Sequence, residues 1–431
     1  MLKYKIRFLL GIIFSLSIIS CNQQQTTRSW SHFRGSQLNG ISEETGFPII
    51  WSDSTNIEWK VEIEGKGWSS PVILGDQIWL TTTSDDNKEM SAVCHDFNTG
   101  EEIFNLLLFK PDTIFRIHAI NSYATPTSCI EEGFVYTHFG RYGTACIDTK
   151  TGKIVWKRND LECVHIQGAG ASPIIYKDKL ILHVEGIDVQ FIYALDKRTG
   201  EIIWKTERPQ ELYDLITDIG KKAYITPLVI NLKGKDVMIS NGSAVCIAYD
   251  IETGKEIWRI PQGEDSTVSM PIESDGVIYF YTSFITPEEG EKYCELFAVD
   301  PNGVGDISQT NILWRVQSPM LQLLTPVVKD GLLYTIDAQS KLLCLDAKTG
   351  ETIWSEKLNG KFHSSPIWAE GKVYVSSLKG ETYVYRAGRN KELLATNKLQ
   401  GGIWSTPAFL NGHILMRTSK FLYNISIIET N

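Results

Sequence analysis

One eleven-residue phrase occurs four times in this chain and constrains its fold more than any other feature. Its pattern is small-x-Asp-x-x-Thr-Gly-x-x-x-Trp, and the copies are CIDTKTGKIVW at 146–156, ALDKRTGEIIW at 194–204, AYDIETGKEIW at 248–258 and CLDAKTGETIW at 344–354. Asp and Thr side chains bond backbone amides in turns, and Gly supplies a positive φ. The phrase therefore predicts a structural turn, followed by an outer strand whose Trp packs between neighbouring repeats.

A second repeated feature, which we call the marker, is a short segment that ends in Pro and is followed by an apolar run. Its eight copies are about 48 residues apart on average and end at Pro71, Pro126, Pro173, Pro227, Pro271, Pro326, Pro366 and Pro407. Within a unit, short apolar runs alternate with Gly-containing turns, as in PIWAEGKVYVSSLKGETYVYR at 366–386. Four short strands repeated eight times predict an all-β, eight-bladed β-propeller of four-stranded blades.

The two ends of the repeat region complement each other. The last unit, STPAFLNGHILMRTSKFLYNISI at 405–427, has only three predicted strands. The segment NIEWKVEIE at 56–64 is an isolated strand that carries Trp59 at the position of the outer-strand Trp. Pairing the two leaves the ring without open edges. We therefore predict a single propeller domain, residues 30–431, closed by pairing of this N-terminal strand with the C-terminal blade.

The first residues resemble an export and anchoring signal. An apolar run from Phe8 to Ile19 follows three basic residues and is too short to span a bilayer. The run ends in Ile-Ile-Ser-Cys, which is similar to a bacterial lipobox with lipidation at Cys21; a plain signal peptide is the alternative. We expect a signal peptide at 1–20 and a lipid-anchored tether at 21–29. Asn22 lacks the acidic group that signals inner-membrane retention, which favours the outer membrane of a bacterial envelope.

Charge and cysteine usage restrict the partners and the redox chemistry. The net charge of the 431 residues is -9, which argues against nucleic acid as a partner. Seven cysteines follow Cys21, and Cys94, Cys146 and Cys344 stand two residues before the Asp of the repeat, where Ala stands in other copies. A small buried strand position explains both residue types, so we predict no disulfide framework.

The repeated phrase is similar to that of the pyrroloquinoline-quinone-type propeller superfamily, over residues 56–428. The stretches WSHFRGSQLNGIS, NSYATPTS, THFGRYGTACID and HIQGAGASPIIY further resemble a group of exported bacterial propellers. The superfamily includes quinoprotein dehydrogenases and the lipoprotein scaffold of outer-membrane barrel assembly. The resemblance therefore implies either an envelope scaffold or an enzyme that oxidises an alcohol or sugar with bound pyrroloquinoline quinone and Ca²⁺.

Two sequence observations separate these possibilities. In the dehydrogenases the resemblance implies a vicinal Cys-Cys disulfide against the cofactor, and this chain has no Cys-Cys pair. It also has no C-x-x-C-H segment for an attached haem. The leading prediction is a monomeric envelope lipoprotein that binds a small polar or sugar-like ligand, or envelope proteins, through its funnel rim. The quinoprotein oxidoreductase is the alternative, and we assign no catalytic residue.

The connections that lead into each first strand, together with the turns between second and third strands, share one rim around the central funnel. Blades 2 and 3 are rich in polar and aromatic residues there. The predicted ligand-binding residues are Trp68, His118, Asn121, Tyr123, His138, Arg141, His165, Gln167, His363 and Trp404. Flat rings and polar donors suit a polyol, a sugar or a small anion.

Two other interpretations of these residues stay open. A metal or general-base site requires about three ligands that converge on one point, which sequence spacing does not show, and no metal is predicted. Alternatively, the side chains plug the funnel and hydrogen-bond one another.

Overall fold

The computed structural model describes residues 28–161, 163–265, 267–287, 290–318 and 324–428. These residues form eight antiparallel four-stranded sheets, arranged as blades around a central channel, so the predicted all-β, eight-bladed propeller is confirmed. The predicted signal peptide and Cys21 lie outside the described residues. Within the described ranges, no helix has the length and apolar character needed to cross a membrane.

Each blade runs from a short inner strand at the channel to an outer strand at the circumference. In blades 1 to 4 the strands are Val72–Leu74, Gln77–Thr83, Met90–Asp96 and Glu102–Phe109; Cys129–Glu131, Phe134–His138, Thr144–Asp148 and Ile154–Arg158; Ile174–Tyr176, Lys179–Glu185, Gln190–Asp196 and Ile202–Glu207; and Leu228–Leu232, Lys235–Asn241, Val245–Asp250 and Glu256–Pro261.

In blades 5 to 8 the strands are Ile272–Ser274, Val277–Tyr281, Cys294–Val299 and Ile312–Ser318; Val327–Lys329, Leu332–Ile336, Lys341–Asp346 and Thr352–Lys357; Ile367–Ala369, Lys372–Ser376, Glu381–Arg386 and Leu393–Lys398; and Ala408–Leu410, His413–Arg417, Phe421–Ile425 and Ile57–Glu62. Short additional strands are Ser29–Trp30, Ile41–Ser42 and Gly305–Asp306, and the short helical turns are Gly140–Tyr142, Gln210–Tyr213 and Asp218–Gly220.

The repeated Asp-x-x-Thr-Gly turn is held by its own side chains, as blade 3 shows. The Asp196 carboxylate accepts the N–H groups of Arg198 and Thr199 at 2.8 and 2.9 Å. The Thr199 hydroxyl accepts the N–H of Glu201 at 3.2 Å, and Gly200 has a φ of 76°. These bonds are local in sequence, which is why the phrase alone predicts them. We call the side of the propeller that carries these turns the bottom, and the opposite side the top.

An outer-strand Trp joins most blades to the next one. Trp156 of blade 2 donates its indole N–H to the carbonyl oxygen of Lys197 in blade 3 at 2.9 Å. A Cβ atom on Gly200 would lie 2.8 Å from the Trp156 ring, so this turn needs glycine for its φ and for its neighbour. The same contact with the next blade is made by Trp59, Trp204 and Trp314. The phrase is structural, as its residues predict.

The eighth blade combines both ends of the propeller. Its outer strand, Ile57–Glu62, pairs antiparallel with Phe421–Ile425, and Glu62 lies opposite Phe421. All seven cysteines after Cys21 are buried thiols.

Residues 28–47, which carry no repeat signal, form a segment that we call the plug. Ser29–Trp30 pairs with the inner strand of blade 1, and Ile41–Ser42 runs parallel to the inner strand of blade 7. Trp30, Leu38 and Phe47 of the plug are all buried. Arg28 and Ser29, which the sequence assigned to the tether, already contact blade 1, since the Arg28 carbonyl accepts the N–H of Gly75 at 3.0 Å. The plug therefore packs against inner strands of the propeller and reaches the bottom of blade 1.

Arg34 fixes the plug to blades 6 and 7. Its side chain has no exposed surface. Its guanidinium donates to the backbone carbonyl oxygens of Thr325, Pro366, Asn39 and Pro326 at 3.2, 3.1, 3.0 and 2.8 Å. One side chain thus satisfies four carbonyl groups at the centre of the ring.

Candidate functional site

A series of hydroxyl groups, one from each of seven blades, encircles the channel near the top of the inner strands. The Ser70 N–H donates to the Thr127 hydroxyl at 2.9 Å, and the Thr127 N–H donates to the Ser172 hydroxyl at 3.0 Å. We call this series the hydroxyl ring; its members are Ser70, Thr127, Ser172, Thr226, Thr325, Ser365 and Thr406. The Thr406 N–H closes it by donating to Ser70 at 3.0 Å. Blade 5 has Met270 at this position, which donates its N–H to Thr325 but has no hydroxyl to accept one.

The hydroxyl ring explains the residue before the marker proline. A buried N–H at the start of an inner strand needs an acceptor, and a Ser or Thr of the next blade supplies it. Blade 2 departs from the marker: Thr127, after Pro126, joins the ring, whereas Thr125 donates its hydroxyl to the Asn121 side-chain oxygen at 2.6 Å. A shift of two residues keeps the hydroxyl on the channel face, because side chains along a strand alternate between faces.

Directly above the hydroxyl ring lies a cavity of about 370 Å³. All seven ring residues line it, and Phe33 of the plug contributes to its floor. Residues of the cavity wall include Trp68, His118, Asn121, Gln167, Tyr224, Asp265, His363 and Trp404. The cavity therefore has a polar floor and a partly aromatic wall, and it lies on the rim predicted to carry the site.

The structure brings six of the ten predicted residues together around this cavity. They are Trp68, His118, Asn121, Gln167, His363 and Trp404. Tyr123, Arg141 and His165 instead line a separate small void of about 10 Å³ between blades 2 and 3. His165 is nearly buried there, and burial lowers its pKa to about 4.

His138 is a correction to the predicted site. It belongs to the strand Phe134–His138 rather than to the rim turn, so strand alternation directs its side chain into the blade. It is 3% exposed, and its Nδ1 atom lies 2.9 Å from the Thr144 hydroxyl. Burial lowers the pKa of His138 to about 3. This histidine is a neutral core residue that does not line the cavity.

Two tryptophans form the aromatic wall. The Trp68 and Trp404 rings stack with centroids 4.5 Å apart and planes 9° apart. The His363 ring packs on Trp404 at 4.8 Å, and burial lowers the pKa of His363 to about 4, so this imidazole is neutral at neutral pH. The Trp68 Nε1 atom is buried and has no hydrogen-bond partner among the described residues. These groups come from neighbouring blades 7, 8 and 1, which meet only because the ring closes.

The polar wall is partly held by its own contacts. The Asn121 side chain donates to the carbonyl oxygens of Gln167 and Ala169 at 2.8 and 3.1 Å. The His118 N–H also donates to the Gln167 carbonyl, at 3.2 Å. Asn121 therefore positions the connections before blades 2 and 3, as the interpretation in which these side chains hydrogen-bond within the protein predicts for this residue.

Sequence reasoning missed the hydroxyl ring, Phe33, Tyr224 and Asp265. The repeated Ser or Thr beside the marker proline was a signal for the hydroxyl ring, but it was interpreted only as the start of a strand. Asp265 forms an ion pair with Lys222, whose side chain is 2% exposed. Neither Phe33 nor Asp265 belongs to a repeated pattern, so the sequence contains no signal for them.

Comparison with known proteins agrees with this architecture. The family model described as outer membrane protein assembly factor BamB, built on the pyrroloquinoline-quinone-type repeat, matches residues 188–303 and 298–401. The chain belongs to the pyrroloquinoline-quinone-like β-propeller repeat family. The chain is 25% identical over 249 residues to quinohemoprotein alcohol dehydrogenase ADH-IIG of Pseudomonas putida, and the match covers 53% of the chain and 31% of that enzyme.

The chain also resembles BamB of Yersinia pestis, with 23% identity over 333 residues. This match covers 72% of the chain and 77% of BamB. Among solved structures, quinohemoprotein alcohol dehydrogenase from Comamonas testosteroni matches with a TM-score of 0.67 and 14% identity, over 94% of this chain and 81% of that one. The chain thus spans about a third of the Pseudomonas dehydrogenase and most of BamB. The structural likeness concerns the fold.

The donor set of the cavity does not fit the Ca²⁺ ion that the sequence resemblance implies. Calcium binds about six to eight oxygen ligands, mainly carboxylates and carbonyls. Asp265 is the one carboxylate among the described residues that line the cavity, and Lys222 already binds it. Over the same described ranges, no three His, Cys, Asp or Glu side chains converge as metal ligands. The cavity instead presents hydroxyls, stacked rings and a neutral imidazole.

Proposed function

We propose that this protein is a binding propeller of the bacterial envelope, whose funnel cavity holds a small polar molecule. The observation that carries the proposal is the cavity itself, where a ring of hydroxyls faces a stacked Trp68–Trp404 wall. Its volume of about 370 Å³ lies within the range of small-molecule sites. Aromatic faces pack against the flat side of a ligand, and hydroxyls fix its polar groups.

The wall of the cavity favours a bound ligand over a set of side chains that hydrogen-bond only with one another. The Trp68 indole N–H is buried beside the cavity without a partner in the described part of the chain. A buried donor left unpaired costs about 1–3 kcal/mol, so a ligand or water that accepts this hydrogen bond stabilises the site.

Replacing Trp404 tests the proposal. Isothermal titration of the full chain is carried out with D-glucose, D-glucuronate, nicotinamide and nicotinate as probes. We expect at least one probe to saturate with a Kd below about 1 mM, and Trp404→Ala to weaken it about tenfold because one face of the stack is lost. His413→Ala, at the bottom of blade 8, is the control and should bind like the unaltered protein. Absence of saturable binding, or equal affinities in both variants, would contradict the proposal.

A protein-docking role is the second candidate, supported by the similarity to BamB, whose name describes an outer membrane assembly factor. The top connections expose large apolar side chains, with Phe115, Leu215 and Ile219 at 46%, 79% and 62% exposure. A contiguous exposed apolar patch is typical of a contact site for another protein, and this function requires these side chains to belong to one. Under this function an envelope protein covers the funnel rim.

The quinoprotein oxidoreductase has weaker support. Similarity to the Pseudomonas dehydrogenase covers 31% of that enzyme, and the described cavity residues do not supply a Ca²⁺ ligand set. Incubation with pyrroloquinoline quinone and Ca²⁺, followed by a dye-reduction assay with alcohols and sugars, separates the two functions. Dye reduction that depends on the quinone would replace the binding propeller by the enzyme.

We also propose that Cys21 carries the lipid anchor and that the propeller is attached to the outer membrane, which the similarity to BamB supports. In cell fractionation, Cys21→Ser should move the protein from the membrane to the soluble fraction, since the acylated thiol is lost. Cys344→Ser, which alters a thiol inside blade 6, should leave the protein on the membrane. Membrane association that persists in Cys21→Ser would contradict the anchor.

A further inference from the structure

The members of the hydroxyl ring share one hydrogen-bonding state. Each oxygen already accepts a backbone N–H from the preceding blade, at 2.9–3.1 Å. All seven residues are at most 5% exposed, and all line the cavity. Among the described residues, no protein oxygen accepts the proton of any of these hydroxyls. Because a hydroxyl carries one donor, the floor offers seven O–H donors to whatever occupies the cavity.

Two buried arginines lie behind this floor. Arg34 donates to the backbone carbonyl of the ring member Thr325 at 3.2 Å, from below. Arg417 donates to the carbonyl and hydroxyl of Ser69, next to the ring member Ser70, at 3.2 and 2.7 Å. Neither guanidinium forms an ion pair with a described carboxylate. Burial lowers the pKa of each to about 9, so both stay charged at neutral pH.

The cavity contains little negative charge to offset these cations. Asp265 lines the wall but is paired with Lys222, so the two charges compensate each other. His363 is neutral. Charges in a buried, low-dielectric region act over longer distances than charges in water. The floor therefore combines hydrogen-bond donors with a positive potential, and both favour a ligand group that is an acceptor and an anion.

We propose that the molecule held in the funnel is a small carboxylic acid, with its carboxylate on the hydroxyl ring and its ring or carbon skeleton against Trp68 and Trp404. This inference rests on the proposed binding function and specifies the class of ligand. A carboxylate is acceptor-only and has two oxygens that each receive more than one hydrogen bond, which matches a floor of converging O–H groups. A neutral sugar also forms hydrogen bonds with this floor, because each ring oxygen keeps one open lone pair, but it gains nothing from the positive potential of the two arginines.

The test compares two pairs of probes that differ mainly in charge. The affinities of D-glucuronate and D-glucose, and of nicotinate and nicotinamide, are measured by titration calorimetry on the unaltered full chain. We expect the acid of at least one pair to bind at least tenfold more tightly than its neutral partner. Equal binding within both pairs, or preference for the neutral partners, overturns the carboxylate assignment and leaves the binding function standing. No binding of any probe overturns both.

A substitution in the hydroxyl ring tests the donor role. Thr406→Val keeps the shape and removes one hydroxyl, and Thr406→Ser, the matched control, keeps it. We expect Thr406→Val to weaken binding of the acidic probe about threefold to tenfold and to leave the affinity for the neutral probe unchanged. Thr406→Ser should retain the affinity for the acidic probe. Equal loss for acid and neutral probes, or no loss, overturns the role of the ring. If Thr406→Val does not fold, the comparison of probe pairs on the unaltered protein still decides the proposal.

Discussion

Acidification from pH 7 to about pH 4.5 is expected to lower the free energy of unfolding by several kcal/mol. Burial lowers the pKa of His32, His165 and His363 to about 4 and that of His138 to about 3. In the unfolded chain these imidazoles take up protons near pH 6.5. Their contribution to stability is therefore complete above pH 6.5 and is lost as the pH falls toward the folded pKa, because the unfolded state then binds more protons. Lowering the pKa of a buried histidine from 6.5 to about 4 corresponds to roughly 3 kcal/mol of folding stability.

Urea unfolding at several pH values between 7 and 4.5 measures this effect before most carboxylates titrate. His138→Gln should make the pH dependence shallower by up to about one proton. A free energy of unfolding that stays constant across this range would show that these histidines are not held neutral in the fold.

His32 links this pH dependence to the plug. Its Nε2 atom accepts the backbone N–H of Ile175 at 3.1 Å, and its Nδ1 atom lies 2.8 Å from the Ser31 hydroxyl. Protonation of Nε2 removes the acceptor for Ile175. Acid should therefore weaken the contact between the plug and blade 3 together with the propeller itself.

Arg34→Met is expected to lower the free energy of unfolding by about 3–5 kcal/mol. The variant keeps much of the side-chain volume but removes the donor for four backbone carbonyl groups at the centre of the ring. Each buried polar group that loses its partner costs about 1–3 kcal/mol, and water reaching some of them reduces the sum.

The matched control for Arg34 is Arg389→Met. Arg389 is 64% exposed and forms an ion pair with Asp346 at 2.9 Å, so its loss should cost less than about 1 kcal/mol. Both variants are compared with the unaltered chain by urea unfolding. If the free energy of unfolding of Arg34→Met lay within about 1 kcal/mol of that of the unaltered chain, the contacts of Arg34 would not contribute substantially to the stability of the fold.

The blades were predictable because their determinants are local and repeated. The Asp196 and Thr199 side chains bond to amides two or three residues away, and Gly200 is required by the turn in which it lies. The joining of blades by Trp156 followed from the same phrase, since the indole ring is large and recurs on most outer strands. Such features need no knowledge of distant contacts.

The site was predictable only where strand order determines it. Trp68, His363 and Trp404 precede marker prolines, so the propeller topology brings them to one cavity. His138 was assigned to the rim turn, whereas its strand continues through Thr137 and His138. The role of Arg34 was not predictable, since three of its four partners are backbone carbonyl groups 291 to 332 residues away, which leave no pattern in the sequence.

The plug limits how a bound molecule reaches the cavity. Because Phe33 of the plug lines the cavity and Arg34 fixes the plug to blades 6 and 7, we expect a bound molecule to enter and leave through the top. A partner that covers the connections carrying Phe115, Leu215 and Ile219 would slow both exchange rates without touching the hydroxyl ring. If partner and small molecule affect each other's affinity, linkage requires the two effects to be equal. With the plug in place, a docked protein would therefore determine how long a small molecule stays bound in the cavity.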